Sequence, residues 1–176
     1  AGVDNDHALA HSLERSTTPV VLGYFFYMSE AEAGYTLDPA GIERQLEGIA
    51  GSKYPLVLYA NQAATAVPFP KAYAPQSNLP MFTAAASSSG YFSVASDPDG
   101  VVRWMPLVIQ GGGDLFPPLS LLSYWHYLGK PELMVRVRAE GVEGVKIGDR
   151  FVPTNEAGQM LINYRGPPKT FPHYSI

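Results

Sequence analysis

The chain has 176 residues, 46% of them apolar and 16% charged, with a formal net charge of −4. That balance suits one folded domain with a sizeable core and excludes a disordered chain. The acidic balance, with no basic run, argues against nucleic acid as a partner. The absence of cysteine excludes disulfides, thiol catalysis, Cys-ligated zinc and iron–sulfur clusters. No apolar run approaches the roughly 20 residues that span a bilayer, and no secretory leader opens the chain. A helix pattern begins almost at once, and Phe171 to Ile176 stops without a closing element. Both ends read as cuts through something longer.

In chain order, Asp4 or Asn5 caps a first helix with Leu9 and Leu13 inward. Val20 to Tyr27 is a continuous apolar run, expected of a strand covered on both faces. A polar segment spans Ser29 to Thr36. The next helix has clear punctuation: Asp38 at the N-cap, Pro39 at the first helical position, Ile42, Leu46 and Ile49 on one face, and Gly51 past the end. Tyr54 to Tyr59 reads as a short strand. Four prolines between Ala60 and Pro80 forbid a long helix or a central strand, which leaves an ordered surface loop anchored by Phe69 and Tyr73. Leu79 to Ala86 turns into a short helix.

The stretch from Gly90 to Gly129 predicts strand, turn, strand, glycine loop and helix. Tyr91 to Val94 supplies the first strand. Asp97-Pro98-Asp99-Gly100 supplies the turn, and Val101 to Ile109 the return, with Pro106 forcing an edge or bulged position. The three glycines at 111–113 break the sheet. Phe116-Pro117-Pro118 opens a helix with Leu121, Leu122, Trp125 and Leu128 on one face, closed by Gly129 as the left-handed residue after its end. The hairpin is expected to pack its apolar face on that stripe. Beyond it, strands are expected at Leu133 to Arg138, Gly144 to Gly148, Arg150 to Pro153 and Gln159 to Tyr164, with a turn at Asn155 to Gly158. The whole predicts an α/β or α+β fold: a mixed sheet with helices packed on it and a hairpin-rich C-terminal half.

The chemistry is sparse. Asp97 and Asp99 resemble the start of a calcium loop, but the remaining ligands are missing, and turn chemistry accounts for them. Asp4, His7 and His11 share a helix face with no third strong ligand, as a solvated face does. Arg103, between Val102 and Trp104, needs a partner if it points inward. Asp97, Asp99, Glu156 or an anionic ligand would serve. Arg165 poses the same question, since guanidinium suits carboxylates and phosphates. Trp104, Tyr124, Trp125 and Tyr127 either line an apolar pocket or belong to the core. The Gly111-Gly112-Gly113 loop lacks phosphate-loop spacing. No nucleophile–base–orienter set can be assembled, so a hydrolase is disfavoured, and no cofactor or metal is called for.

Several stretches together resemble a known family. They are D-G-V-V-R-W-M-P-L from Asp99, F-P-P-L-S-L from Phe116, and L-I-N-Y-R-G-P from Leu161 with F-P-H-Y-S from Phe171. The chain resembles, over nearly its whole length, the second class of CHASE domains, the cyclase- and histidine-kinase-associated sensory extracellular modules. The resemblance implies a single extracytoplasmic sensory domain of a bacterial membrane-anchored receptor, lacking its N- and C-terminal family portions. A nucleotide cyclase or kinase output would lie inside the cell. It implies no catalysis by this segment, a small-molecule or envelope-protein partner, and a homodimer. The alternative is a ligand-free dimerisation or scaffold module. Arg103, Trp104 and Arg165 are the candidate ligand-binding residues.

Overall fold

A computed structural model describes residues 4–167 and 170–172. Among the described residues it has five α-helices and eleven strands in a mixed α/β arrangement, strand-rich in the C-terminal half, as the sequence predicts. Helix α1 (Asn5–Glu14) starts at Asp4, whose carboxylate accepts the Asp6 and His7 amides. Ala10 is its buried residue and Leu9 is half exposed, contrary to the expected Leu9/Leu13 face. The reason is its neighbour: α1 packs on the short helix α4 (Pro80–Ala85), and a small residue lets the two approach.

Strand β1 (Val21–Tyr27) is the centre of a three-stranded sheet. On one side it pairs antiparallel with β3 (Ala74–Gln76), on the other parallel with β4 (Ser88–Tyr91). The 60–80 stretch is therefore more than a surface loop. Its Pro75 sits in an edge strand, where no further ladder bond is needed, and Ala64 and Ala74 are buried. The polar segment after β1 holds a short helix, α2 (Glu30–Ala33), capped by Ser29 and ended by Gly34 at φ 73°. Helix α3 (Pro39–Ile49) keeps the predicted Asp38 cap and first-position proline.

A second sheet of four strands runs β10 (Arg150–Pro153), β9 (Gly141–Ile147), β8 (Leu133–Arg138), β2 (Leu56–Tyr59). Here β2 is parallel to β8 and the rest are antiparallel. A two-stranded ribbon joins β5 (Trp104–Pro106) to β11 (Gln159–Leu161), which is shorter than predicted. The glycine loop does not break a sheet. It turns the hairpin between β6 (Ile109–Gly111) and β7 (Asp114–Phe116), with Gly112 at φ 61°.

The hairpin predicted around Asp97–Gly100 is not formed. The strand lies earlier, at Ser88–Tyr91, and pairs with β1, while the return strand pairs with β11. Helix α5 (Leu119–Tyr127) covers this region. Its end is closed as predicted: the Lys130 amide donates to the Trp125 carbonyl and the Gly129 amide to that of His126, with Gly129 at φ 78°. Two buried clusters make the core. One lies between the four-stranded sheet and α5, around Val135, Val145, Leu121 and Leu122. The other lies around Tyr24, Phe26, Ile49, Tyr91, Ile109 and Phe116, and Met105 packs against both.

A groove where two parallel strands part

Strands β1 and β4 run side by side from Val21/Ser88 to Tyr24/Tyr91. The ladder then loses its backbone partner. The Phe92 amide still donates to the Tyr24 carbonyl, but the next bond comes from a side chain: the Phe26 amide donates to Ser93 Oγ at 2.7 Å. From there residues 93–96 diverge from β1. The space between them is a groove of about 780 Å³ at the carboxyl ends of parallel strands, a common location for ligand sites in sheets with parallel strands.

Apolar atoms dominate its surface. Phe25 and Phe26 of β1, Ile109 and Pro106 form one part, and Pro70 another. Met28 and Phe92 to Ser96 line the groove as well. Met28, Phe92 and Val94 are 39%, 52% and 49% exposed, a cluster of large apolar groups facing water. Phe92 is held in place by what its neighbour lacks. A Cβ on Gly23 would lie 2.9 Å from the Phe92 ring, so glycine there lets the ring lie on β1, 6.0 Å from Phe25. Gln159 of β11 closes one side.

Glu32 is the one ionisable side chain among the described lining residues. Its Oε2 accepts the Met28 amide at 2.6 Å, and its own amide donates to Ser29 Oγ. This reciprocal bonding ties the start of α2 to the end of β1, much as a capping box does.

The residues singled out in the sequence do not line this groove. Arg103 is exposed and paired. Its Nη1 lies 2.7 Å from Asp97 Oδ2 and 2.9 Å from Asp99 Oδ1, and its Nη2 lies 2.7 Å from Asp99 Oδ2. Those bonds lower the Asp99 pKa from the ordinary carboxylate value, helped by the Val101 amide, and raise that of Arg103. The clasp closes the turn in which Gly100 donates to the Asp97 carbonyl, just beyond the groove wall at Ser96. Of the partners offered by the sequence, Asp97 and Asp99 are the ones engaged. Trp104 is half-buried and pairs with Leu161, two residues along the ribbon from the groove-lining Pro106. Arg165 is exposed outside the groove, past the Tyr164 hydroxyl that donates to the Val102 carbonyl. None of the three is among the groove-lining residues. In solvent, His7 faces the carboxylate of the N-cap Asp4, and His11 that of Glu14. Tyr127 is 84% exposed and stacks on Tyr124, and Trp125 donates to the Pro131 carbonyl. None of these aromatic residues lines the groove.

Sequence reasoning missed Phe25, Glu32, Phe92 and Ser93. For Glu32 a signal existed, the Ser29-x-x-Glu32 spacing of a capping box. For Ser93 none did, because an alternating strand pattern hides a serine that leaves the ladder.

Among the described residues no helix is long and apolar enough to cross a membrane, and no three His, Asp or Glu side chains gather as metal ligands would. The described residues thus form a mixed α/β fold with an apolar groove at the end of its parallel strand pair. The CHASE2 domain model matches residues 2–176, and the chain belongs to that family, the extracellular sensory domains of receptors. No curated protein and no solved structure matches it.

Proposed function

We propose that this chain is the extracytoplasmic sensor of a bacterial transmembrane receptor whose cytoplasmic output is a nucleotide cyclase or kinase, and that it takes a small molecule in the β1/β4 groove. The observation that carries the reading is the groove: an apolar cleft at parting strand ends with Met28, Phe92 and Val94 left in water. Binding there would bridge β1 to the 93–101 segment and so shift the balance between two arrangements of that wall. Arg103, through its clasp on Asp97 and Asp99, positions the wall without touching the ligand.

A thermal-shift screen of the chain tests it, with amines, carboxylates, sugars, nucleotides and apolar compounds. A ligand at a hundredfold excess over its Kd adds about 2.7 kcal/mol. The expected result is a saturable rise in melting temperature that Phe92→Ala removes and that is absent for compounds lacking an apolar part. A hit insensitive to Phe92→Ala would place binding elsewhere.

One observation favours the second reading, a dimerisation module. Strand β2 is a sheet edge whose Leu56, Leu58 and Tyr59 are 43%, 49% and 38% exposed. The opposite edge, β10, carries Arg150 and Pro153, and β3 carries Pro75, the devices that usually discourage edge pairing. Strand β2 has neither. Two copies could pair antiparallel about Val57, with Leu56 opposite the Leu58 of the other copy and no like charges meeting. Sedimentation velocity on the native chain and on Leu58→Lys decides: a dimer lost in the variant supports this reading, and a monomer at all concentrations removes it.

A further inference from the structure

Resting on the groove as a ligand site, we infer that the groove selects a ligand with an apolar body ending in an ammonium or similar cation, held by Glu32. Within the described lining the only charge is the Glu32 carboxylate. Its Oε2 is committed to the Met28 amide, while no described residue donates to Oε1. The carboxylate is thus oriented by one oxygen and open at the other.

The same groove lining holds groups that favour the same chemistry. The Phe25 and Phe92 rings sit 6.0 Å apart, tilted at 43°, and aromatic faces attract cations. The chain's net charge of −4 draws cations towards its surface.

The anionic alternative lacks partners. Arg103 is spent on Asp97 and Asp99, Arg165 is outside the groove, and no lysine, arginine or histidine is among the described lining residues. A carboxylate or phosphate entering here would meet Glu32 with no compensating charge. Ser93 Oγ is likewise taken, by the Phe26 backbone.

Three probes sharing one apolar body test this: phenylbutylamine, phenylbutanol and phenylbutyrate, titrated calorimetrically into the 176-residue chain. The amine should bind tightest, roughly fivefold over the alcohol, as an exposed charge pair allows, and the acid weakest. Glu32→Gln should erase the amine's advantage over the alcohol. Its Oε1 can still accept the Met28 amide, so an unchanged melting temperature is expected. Raising the salt concentration on the native chain gives the same information without a variant: the amine's advantage should shrink while alcohol binding holds. Equal affinity for amine and alcohol, or an advantage that survives Glu32→Gln and salt, overturns the inference and leaves the groove standing. Failure of all three probes to bind, or binding unaffected by Phe92→Ala, overturns the groove itself.

Discussion

Arg103 shows how a conspicuous charged residue can act on a site it does not enter. Its guanidinium is spent on two carboxylates of its own turn, so its removal should loosen the wall and not the core. In Arg103→Ala, hydrogen exchange at the Val101 amide should quicken while the amides of β8 keep their protection. Equal loss of protection in both would make Arg103 a global stabiliser. His126 of α5 is a second informative residue. It is 8% exposed, its Nε2 lies 2.8 Å from Ser88 Oγ, and its Nδ1 has no hydrogen-bond partner among the described residues. Burial, and then the nearby Lys130 charge, push its pKa below the ordinary imidazole value. Between the lowered folded value and the unfolded value of about 6.5, the unfolded chain holds the extra proton. Stability is therefore whole above that unfolded value, falls as pH drops through the window, and levels off below the folded value. Urea midpoints at about pH 7.5 and about pH 5.5 should differ less in His126→Gln than in the native chain. An unchanged difference would assign the acid sensitivity to other groups. Buried tyrosines give a paired test. Tyr91 donates to the Pro106 carbonyl at 2.8 Å, whereas the Tyr24 hydroxyl is buried without a partner among the described residues. Tyr91→Phe should cost about 1 kcal/mol and Tyr24→Phe nothing, or stabilise slightly, by denaturant titration.

At the level of elements, the contact that most shapes the groove region is α5 against the β1/β4 pair. Gly23 and Gly90 are register partners, so they stack on the same face of neighbouring strands. A Cβ on Gly90 would lie 2.6 Å from the Leu119 backbone. The first turn of α5 thus sits directly on the sheet backbone, where only glycine leaves room. Gly90→Ala should force the helix off and cost on the order of 1–3 kcal/mol, as overpacking does, and should weaken any ligand in the groove through Phe92. Gly51→Ala is the matched control, since a Cβ there meets nothing within 4 Å. Its melting temperature should be unchanged or slightly higher. A Gly90→Ala protein as stable as the control would mean that α5 is not seated as described. Local chemistry reads well in these elements: the Asp38 cap, the Gly129 closure and the Asp97–Gly100 turn all sit where their residues predict. The pairing of β4 does not, because both an antiparallel hairpin and a parallel partner satisfy the same apolar pattern.

Across the molecule, the two buried clusters are joined by the run from Met105 to Phe116. Leu107, Val108 and Leu115 belong to one cluster, Ile109 and Phe116 to the other. Neighbouring residues of one hairpin thus pack in both cores, so neither core can melt alone without breaking that hairpin. Unfolding in urea followed by tryptophan fluorescence and by far-ultraviolet circular dichroism should give coincident transitions, the sign of one cooperative unit. Phe116→Ala should lower both midpoints together, by about 3–5 kcal/mol of stability. Separated transitions would divide the chain into two folding units.

By itself the sequence determined the fold class, the family, most helices with their caps, the C-terminal strands and the turn that Arg103 clasps. All of these rest on interactions between residues a few positions apart, or on motifs read as strings. The tertiary structure decided the rest. It chose β1 over Val101–Ile109 as the partner of β4 and turned a glycine break into a hairpin. It kept Arg103, Trp104 and Arg165 out of the groove lining, and it opened a groove where Ser93 replaces a ladder bond to Phe26, 67 positions away. A strand's pattern says which face is buried but not against which strand. That choice is made by packing against residues distant in the chain, and the groove exists only where the chosen pair comes apart.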